Sequence, residues 1–328
     1  MSATILLTHT PDMRKNYYPE DALAGLRALG EVRLHEGAEP LDAAGLIEAA
    51  RGVQLIIADR NTPGPAEVFQ GLPELRAFLR VAVDIRNIDV DAASAAGVLV
   101  TRAGPGFVDA VTELTLGFLI DLSRGISRAT AEYQAHRFPT PQMGRQLAGS
   151  TLGIIGYGAI SRRLVPLALA LGVTVLVTDP YVTVDDARVR QTSLEVLLAE
   201  SDYVVCLAVA TAETENLMDA ARFAQMKAGA CFVNVSRGNL VDEAALEQSI
   251  RSGRLGGVAL DVGRAPDQMP SPPIAALPGV IATPHVGGLT PQAAAFQAHD
   301  TVRQAAGILR GEIPEGAVNA EHWSRRHG

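Results

Sequence analysis

Short runs of apolar, often β-branched residues alternate along this chain with stretches of helical periodicity, and that alternation limits the fold more than any other feature. It is the pattern of parallel strands joined by crossover helices, so the chain reads as α/β throughout. Strands are expected at residues 3–8, 32–35, 55–58, 77–83 and 98–101, with helices near 21–29, 42–50 and 89–96, enough to close one doubly wound sheet. A second set of strands is expected at 151–155, 174–178, 203–207, 230–235, 257–261 and 280–282. At 328 residues the chain exceeds one compact core, since domains average about 150 residues. Two domains follow.

Between the two sets lies a long, mostly helical stretch from 107 to about 137, read as a bridge, and then a loop over 138–149 with Pro139, Pro141, Gly144 and Gly149. Five prolines between 266 and 278 exclude regular structure there and leave a loop near the mouth of the second sheet. A final helix over 291–310 is expected to return to the first domain. No internal repeat or low-complexity tract is visible.

Composition narrows the class. The chain is 48% hydrophobic and 20% charged, which excludes disorder, collagen and coiled coil. A net charge of −8 gives no general attraction to phosphate backbones or anionic lipid, so no nucleic-acid partner is expected. No apolar run approaches the roughly 18 residues of a membrane span, and the first ten residues lack the basic region of a secretion signal. A cytoplasmic protein with no membrane partner is the expectation. Cys206 and Cys231 sit in apolar runs without metal-ligand spacing, so both are read as buried thiols and no metal is expected.

The most specific local motif follows the strand 151–155, which runs into Gly156-Tyr157-Gly158-Ala159-Ile160-Ser161 and then a helical pattern. Gly156 permits a tight turn, Gly158 lets a pyrophosphate approach the backbone, and the helix N-terminus supplies free N–H donors. Ser161 replaces the third glycine and is small enough for close helix–strand packing. Beyond the next strand stands Asp179, which can hydrogen-bond adenosine ribose hydroxyls and repel a 2′-phosphate. The cofactor expected is NAD rather than NADP.

Further motifs continue in order. Residues 226–242 read MKAGACFVNVSRGNLVD, followed by Ala259-Leu260-Asp261-Val262 and Thr283-Pro284-His285-Val286-Gly287-Gly288; upstream stand Asn87-Ile88-Asp89-Val90 and Val111-Thr112-Glu113. The sequence resembles the D-isomer-specific 2-hydroxyacid dehydrogenase family over nearly its whole length. The resemblance implies two doubly wound Rossmann-like domains. A flavodoxin-like substrate-binding domain would comprise residues 1–101 and 289–328, and an NAD-binding Rossmann domain residues 102–288.

It also implies roles. Arg237 corresponds to the arginine that grips the substrate carboxylate and carbonyl, a task suited to a planar, always charged guanidinium. His285 takes the acid/base position, where a group titrating near neutrality can give the proton that keto-acid reduction requires. Asp261 matches the acceptor of a hydrogen bond from the nicotinamide carboxamide; the alternative is a strand-end carboxylate satisfied by backbone N–H groups. Tyr157, Ala159, Ile160 and Ser236 complete the cofactor contacts, and Val83, Asp84 and Arg86 the substrate loop.

Two departures stand out. The family's Glu, which pairs with the catalytic histidine, would fall on Ala265 or Pro266; Asp267 is the nearest carboxylate, shorter and displaced, so its catalytic role is a hypothesis. The substrate loop reads Ala82-Val83-Asp84-Ile85-Arg86-Asn87 where most members carry glycines before Asn-Ile-Asp. Arg86 either reaches a second anionic group on the substrate or pairs with Asp84. The function implied is hydride transfer between NAD(H) and a 2-keto acid / D-2-hydroxy acid pair; the alternative is a non-catalytic NAD-binding sensor or partner-binding protein. A homodimer is expected through the bridging helix, whose apolar residues occupy more than one face.

Overall fold

A computed structural model describes residues 3–327, which divide into two compact units: one of residues up to Phe107 together with those from Thr290 onward, and one of Val108–Leu289. In the first, β1 (Ala3–Leu7), β2 (Gly30–Leu34), β3 (Leu55–Ala58), β4 (Ala77–Arg80) and β5 (Leu99–Arg102) form a parallel sheet ordered β2-β1-β3-β4-β5. This is the flavodoxin-like order, whose direction reverses between β1 and β3. β3 and β4 are buried along their whole length, as parallel strands covered on both faces must be.

Side chains alternate between the two faces with the strand period of two. Leu6, Ile56, Phe78 and Val100 share one core with Leu46, Val68, Phe69 and Ala93 from three short helices. Ile5, Leu7, Ile57 and Leu79 face the other way, against Ala22 and Leu26 of the helix Glu20–Leu29 and Ala298, Ala305 and Ile308 of the helix Pro291–Leu309.

The second unit contains β6 (Thr151–Ile155), β7 (Thr174–Thr178), β8 (Val189–Gln191), β9 (Tyr203–Cys206), β10 (Cys231–Asn234), β11 (Gly257–Leu260) and β12 (Val280–Ala282). They lie parallel in the order β12-β11-β10-β9-β6-β7-β8, the Rossmann arrangement with its reversal between β6 and β9. Phe223 and Phe232 meet edge to face at 5.3 Å within one of its cores.

Three sequence expectations are corrected. The bridge is two helices, Val108–Arg124 and Ile126–Gln134, because Gly125 adopts a left-handed φ of 65° and ends the first. β8 was not expected: only Val189 of its three residues is buried, so it leaves no apolar run. The proline-rich segment is not wholly irregular. Pro266 opens a 3-10 turn and Pro272 a short helix, positions where a missing N–H costs nothing. The first compact unit runs to Phe107 and resumes at Thr290. The Gly104 N–H donates to Asp300 at 2.8 Å, and Gly106 packs directly on the Phe296 ring, which keeps this segment with the helix Pro291–Leu309.

Candidate active site

At the β6/β9 switch point, Gly156 has φ 93°, and a Cβ there would lie 2.8 Å from the Leu207 carbonyl oxygen and Ala208 Cα. Only glycine meets both demands, so the loop after β6 can rest on the end of β9. Above Gly158 a Cβ would meet nothing within 4 Å. Gly158 also precedes the helix Ala159–Ala170, whose first turn has no side-chain cap. Its opening N–H groups, those of Ala159 and Ile160 included, are the donors an anion would use. Ser161 does more than permit packing: its buried hydroxyl donates to the Gly156 carbonyl at 2.6 Å and latches the loop. Tyr157 is buried beneath the Arg162 guanidinium, 4.6 Å from the ring centroid.

Asp179 follows β7 and ties the two turns together. One carboxylate oxygen accepts from the Tyr157 N–H at 2.7 Å, the other from the N–H groups of Tyr181 and Val182 at 2.8 and 3.0 Å. Sequence reasoning missed this organising role. The glycine turn, the room over Gly158, the uncapped helix and the strand-end carboxylate together fit a dinucleotide.

The carboxyl ends of β10, β11 and β12, adjacent in the sheet, carry the remaining groups. Asn234, almost fully buried, accepts from the Ser236 N–H at 3.1 Å and donates to the Arg237 carbonyl at 2.9 Å, so one amide shapes the arginine's turn. Ser236 donates to the Ala208 carbonyl at 2.7 Å, and Arg237 Nη1 to the Ser236 carbonyl at 2.7 Å. Gly238 lies so close to Gly263 that a Cβ would overlap its carbonyl, which lets these turns nest. Asn234 was not singled out from sequence; an amide at the end of an apolar strand, just before the exit turn, was the available signal.

Asp261 is buried, and its carboxylate accepts from Thr283 Oγ1 at 2.6 Å and from the N–H groups of Val286 and Gly287, both at 2.8 Å. The His285 N–H donates to the Asp261 carbonyl at 2.9 Å. This is the arrangement of a strand-end carboxylate that gathers a loop, and it fixes the residues on either side of His285. His285 itself has a φ of 55°, and Nδ1 meets the backbone carbonyl of Asp267 at 2.7 Å. A carbonyl only accepts, so Nδ1 carries the proton. Asp267 and Gln268 both have φ 57°, and the turn they make is closed by the Gly263 N–H donating to the Gln268 carbonyl at 2.8 Å. Asp267 thus reaches the imidazole through its main chain, a contact that sequence reasoning sought in its carboxylate.

On the first unit, Val83, Asp84 and Arg86 lie in the loop after β4. Arg86 Nε donates to Asp84 at 3.0 and 3.1 Å and Nη2 at 2.6 Å, with the Arg86 N–H adding a fourth contact at 3.0 Å. Asp84 raises the guanidinium's pKa through these bonds. Of the two readings of Arg86, the ion pair with Asp84 is the contact the structure shows. Among the described residues, no group of three or more His, Cys, Asp or Glu could hold a metal ion, and no helix is long and apolar enough to cross a membrane.

Comparison with known proteins bears on this geometry. The family model described as "D-isomer specific 2-hydroxyacid dehydrogenase, NAD binding domain" matches residues 116–287. The chain is 34% identical over 275 residues to an (S)-sulfolactate dehydrogenase of Chromohalobacter salexigens, covering 81% of this chain and 89% of that protein. It is 33% identical over 308 residues to a D-3-phosphoglycerate dehydrogenase of Mycobacterium leprae, covering 92% of this chain but only 57% of the longer relative. The crystal structure of a Thermus thermophilus protein, TT0316, superposes with a TM-score of 0.84 at 31% identity, over 96% of this chain and 99% of that one. The chain belongs to the D-isomer specific 2-hydroxyacid dehydrogenase family, oxidoreductases whose cofactor is NAD.

Proposed function

We propose that this dehydrogenase interconverts a small 2-keto acid and its D-2-hydroxy acid, with Arg237 binding the acid and His285 handling the proton. The observation that carries this reading is the position of both residues at the carboxyl ends of β10 and β12, on either side of β11, in the same sheet as the glycine turn. Bound NADH supplies the hydride that reduces the keto carbon. Arg237 pairs with the carboxylate and orients the carbonyl, and its charge stabilises the oxygen as negative charge develops. His285 delivers the proton from Nε2 to that oxygen, while the Asp267 carbonyl keeps a proton on Nδ1 and holds the ring. Asp261 serves as the positioning residue of the His285 loop, with its remaining acceptor capacity turned to the nicotinamide carboxamide. Asp179 selects NADH over NADPH by repelling a 2′-phosphate.

Residues 102–288 act as the coenzyme domain; residues 1–101 and 289–328 as the substrate domain, with Val83, Asp84 and Arg86 in the substrate loop. The named relatives act on 2-hydroxy acids with a second anionic group, and in this chain Arg86 of that loop is paired with Asp84. The chain is further proposed to be cytoplasmic, and to form a homodimer because Ile126, Tyr133, Phe138 and Met143 are strongly exposed along one stretch. A dimer mass in light scattering at micromolar concentration is expected; a monomer contradicts it.

The reading is tested by incubating the protein with glyoxylate, pyruvate, 2-oxoglutarate or sulfopyruvate and either NADH or NADPH, then resolving the products on a chiral column. NADH-dependent formation of a D-hydroxy acid from at least one chiral-product substrate is expected. An L product, or equal efficiency with NADPH, contradicts it.

A further inference from the structure

Arg80, the last residue of β4, is the largest of the fully buried side chains, at 0% exposure. Taking a guanidinium out of water is costly, and packing alone could be met by an apolar side chain of similar volume. Its contacts therefore indicate its role. Nη1 donates to the Asp59 carbonyl, and Nη2 donates to the Thr62 carbonyl at 2.8 Å and to Asn87 Oδ1 at 2.7 Å. None of these acceptors lies on a strand. All belong to the loops that follow β3 and β4.

Asn87 strengthens the link. Its Nδ2 donates to the Arg60 carbonyl at 3.3 Å, and its own carbonyl accepts from the Gly64 N–H at 2.9 Å. Asp59 in turn folds the first loop: its carboxylate accepts from Thr8 Oγ1 at 2.8 Å, from Thr62 Oγ1, and from the N–H groups of Asn61 and Thr62 at 2.7 and 3.3 Å. The ends of β1, β3 and β4 are thereby tied at the point where the strand order reverses, which is where open α/β sheets bind ligands. The desolvated guanidinium, its pKa lowered to about 10 by burial against the raising effect of Asp59 and Asp84, places positive charge beneath both loops.

We infer that Arg80 is a positioning residue for the substrate loop, clamping residues 59–62 to residue 87 so that the loop 83–87 is held ready for the acid it does not itself touch. This rests on the reading that assigns that loop to the substrate. Loss of the clamp should weaken acid binding while leaving NADH binding alone, because the glycine turn and Asp179 belong to the other unit.

The experiment compares wild type, Arg80→Met, Asn87→Ala and the double variant. It measures Tm, the NADH Kd by fluorescence, and kcat and KM for whichever of glyoxylate, pyruvate, 2-oxoglutarate and sulfopyruvate the wild type uses best. Arg80→Met should raise KM by about 10-fold to 100-fold with a smaller change in kcat, since loop misplacement of the order of 1 Å has effects of that size. Asn87→Ala should raise KM less, and the double variant should be no worse than Arg80→Met, because both act through one clamp. NADH Kd should stay within about twofold.

An unchanged KM in folded Arg80→Met overturns the inference, as does a double variant whose effects multiply. If Arg80→Met does not fold, Asn87→Ala decides, since Asn87 is an exposed residue: a raised KM at unaltered Tm supports the clamp and an unaltered KM overturns it. A wild type that binds NADH but reduces none of the four acids is a different result, and it removes the functional reading together with the inference built on it.

Discussion

The two sheets end in loops built by opposite means. At the β6/β9 switch the chain uses glycine and main chain: Gly156 is left-handed and pressed on the 207–208 backbone, Gly158 leaves open space, and a single buried hydroxyl closes the turn. At the β1/β3 switch it uses buried polar side chains, with Arg80, Asp59, Thr8, Thr62 and His9 all largely withdrawn from water. The first design leaves backbone N–H groups available to a phosphate. The second commits charged groups to holding loops, so the groups that touch a ligand there are supported rather than direct. A glycine-built site should therefore fail through added volume, and a side-chain-built site through lost charge or changed protonation.

The largest effect is expected where chemistry depends on one group. His285→Ala should lower kcat/KM for keto-acid reduction by about 10²-fold to 10⁴-fold with NADH affinity intact. Steady-state rates with parallel NADH titration check this, and a loss below tenfold would assign the proton to solvent.

Next comes a pH effect confined to the first unit. Burial lowers the pKa of His9 to about 4, with Asp59 opposing and Arg14 and Arg80 reinforcing the shift, and its ring packs edge to face with Tyr18. In the unfolded chain the imidazole titrates near its ordinary 6.5. Stability is thus complete above pH 6.5 and is lost as pH falls towards 4, because the unfolded chain takes up a proton that folded His9 refuses. The loss is on the order of 3 kcal/mol. Asp59, held below its ordinary range by Thr62, His9, Asn61 and Thr8 against the effect of burial, adds its own loss only at lower pH. Denaturant titrations between pH 7 and 4.5 should show this decline in wild type and a flatter profile in His9→Phe; identical slopes would refute the assignment.

A smaller effect should sharpen the contrast from the glycine side. Gly156→Ala places a Cβ at a positive φ against main-chain atoms. The strain of roughly 1–3 kcal/mol should appear as about 10-fold to 100-fold weaker NADH binding. Unweakened binding in fluorescence titration would show that the turn does not cradle the cofactor. The smallest effect belongs to Asp267→Asn. Its contact with His285 Nδ1 is through the backbone carbonyl, which the substitution keeps, so the descending limb of the pH profile of kcat/KM should stay in place. A shift of that limb to lower pH would give the carboxylate the role of the missing Glu.

The contrast also explains what could be read from the sequence. The glycine turn is legible because Gly156 is constrained by its own backbone and by the chain after β9, and because both glycines stand between an apolar strand and a helical pattern. The alternation of strands was legible because most are buried on both faces. β8 was not, since an edge strand with two exposed residues carries no such signal. Arg80 and His9 were illegible for a different reason: these types are ordinarily exposed, and only the tertiary fold encloses them. Asp267 is legible as a neighbour of His285 but not its main-chain contact, because two successive non-glycine residues at positive φ, Asp267 and Gln268, turn its carbonyl to the ring.

The proposed chemistry depends on Arg237 acting on a bound acid beside a bound cofactor, and one paired measurement tests it. NADH binding by fluorescence and NADH oxidation by absorbance are followed in wild type and Arg237→Lys, using the same four keto acids. The prediction is that both proteins bind NADH equally, that wild type oxidises it with at least one acid, and that Arg237→Lys loses about 100-fold or more in kcat/KM, because an ammonium cannot reproduce the paired donors of the planar guanidinium. Equal binding with no oxidation by wild type, or near wild-type turnover by Arg237→Lys, would contradict it, the first pointing to a non-catalytic NAD-binding protein and the second to a misplaced anion site.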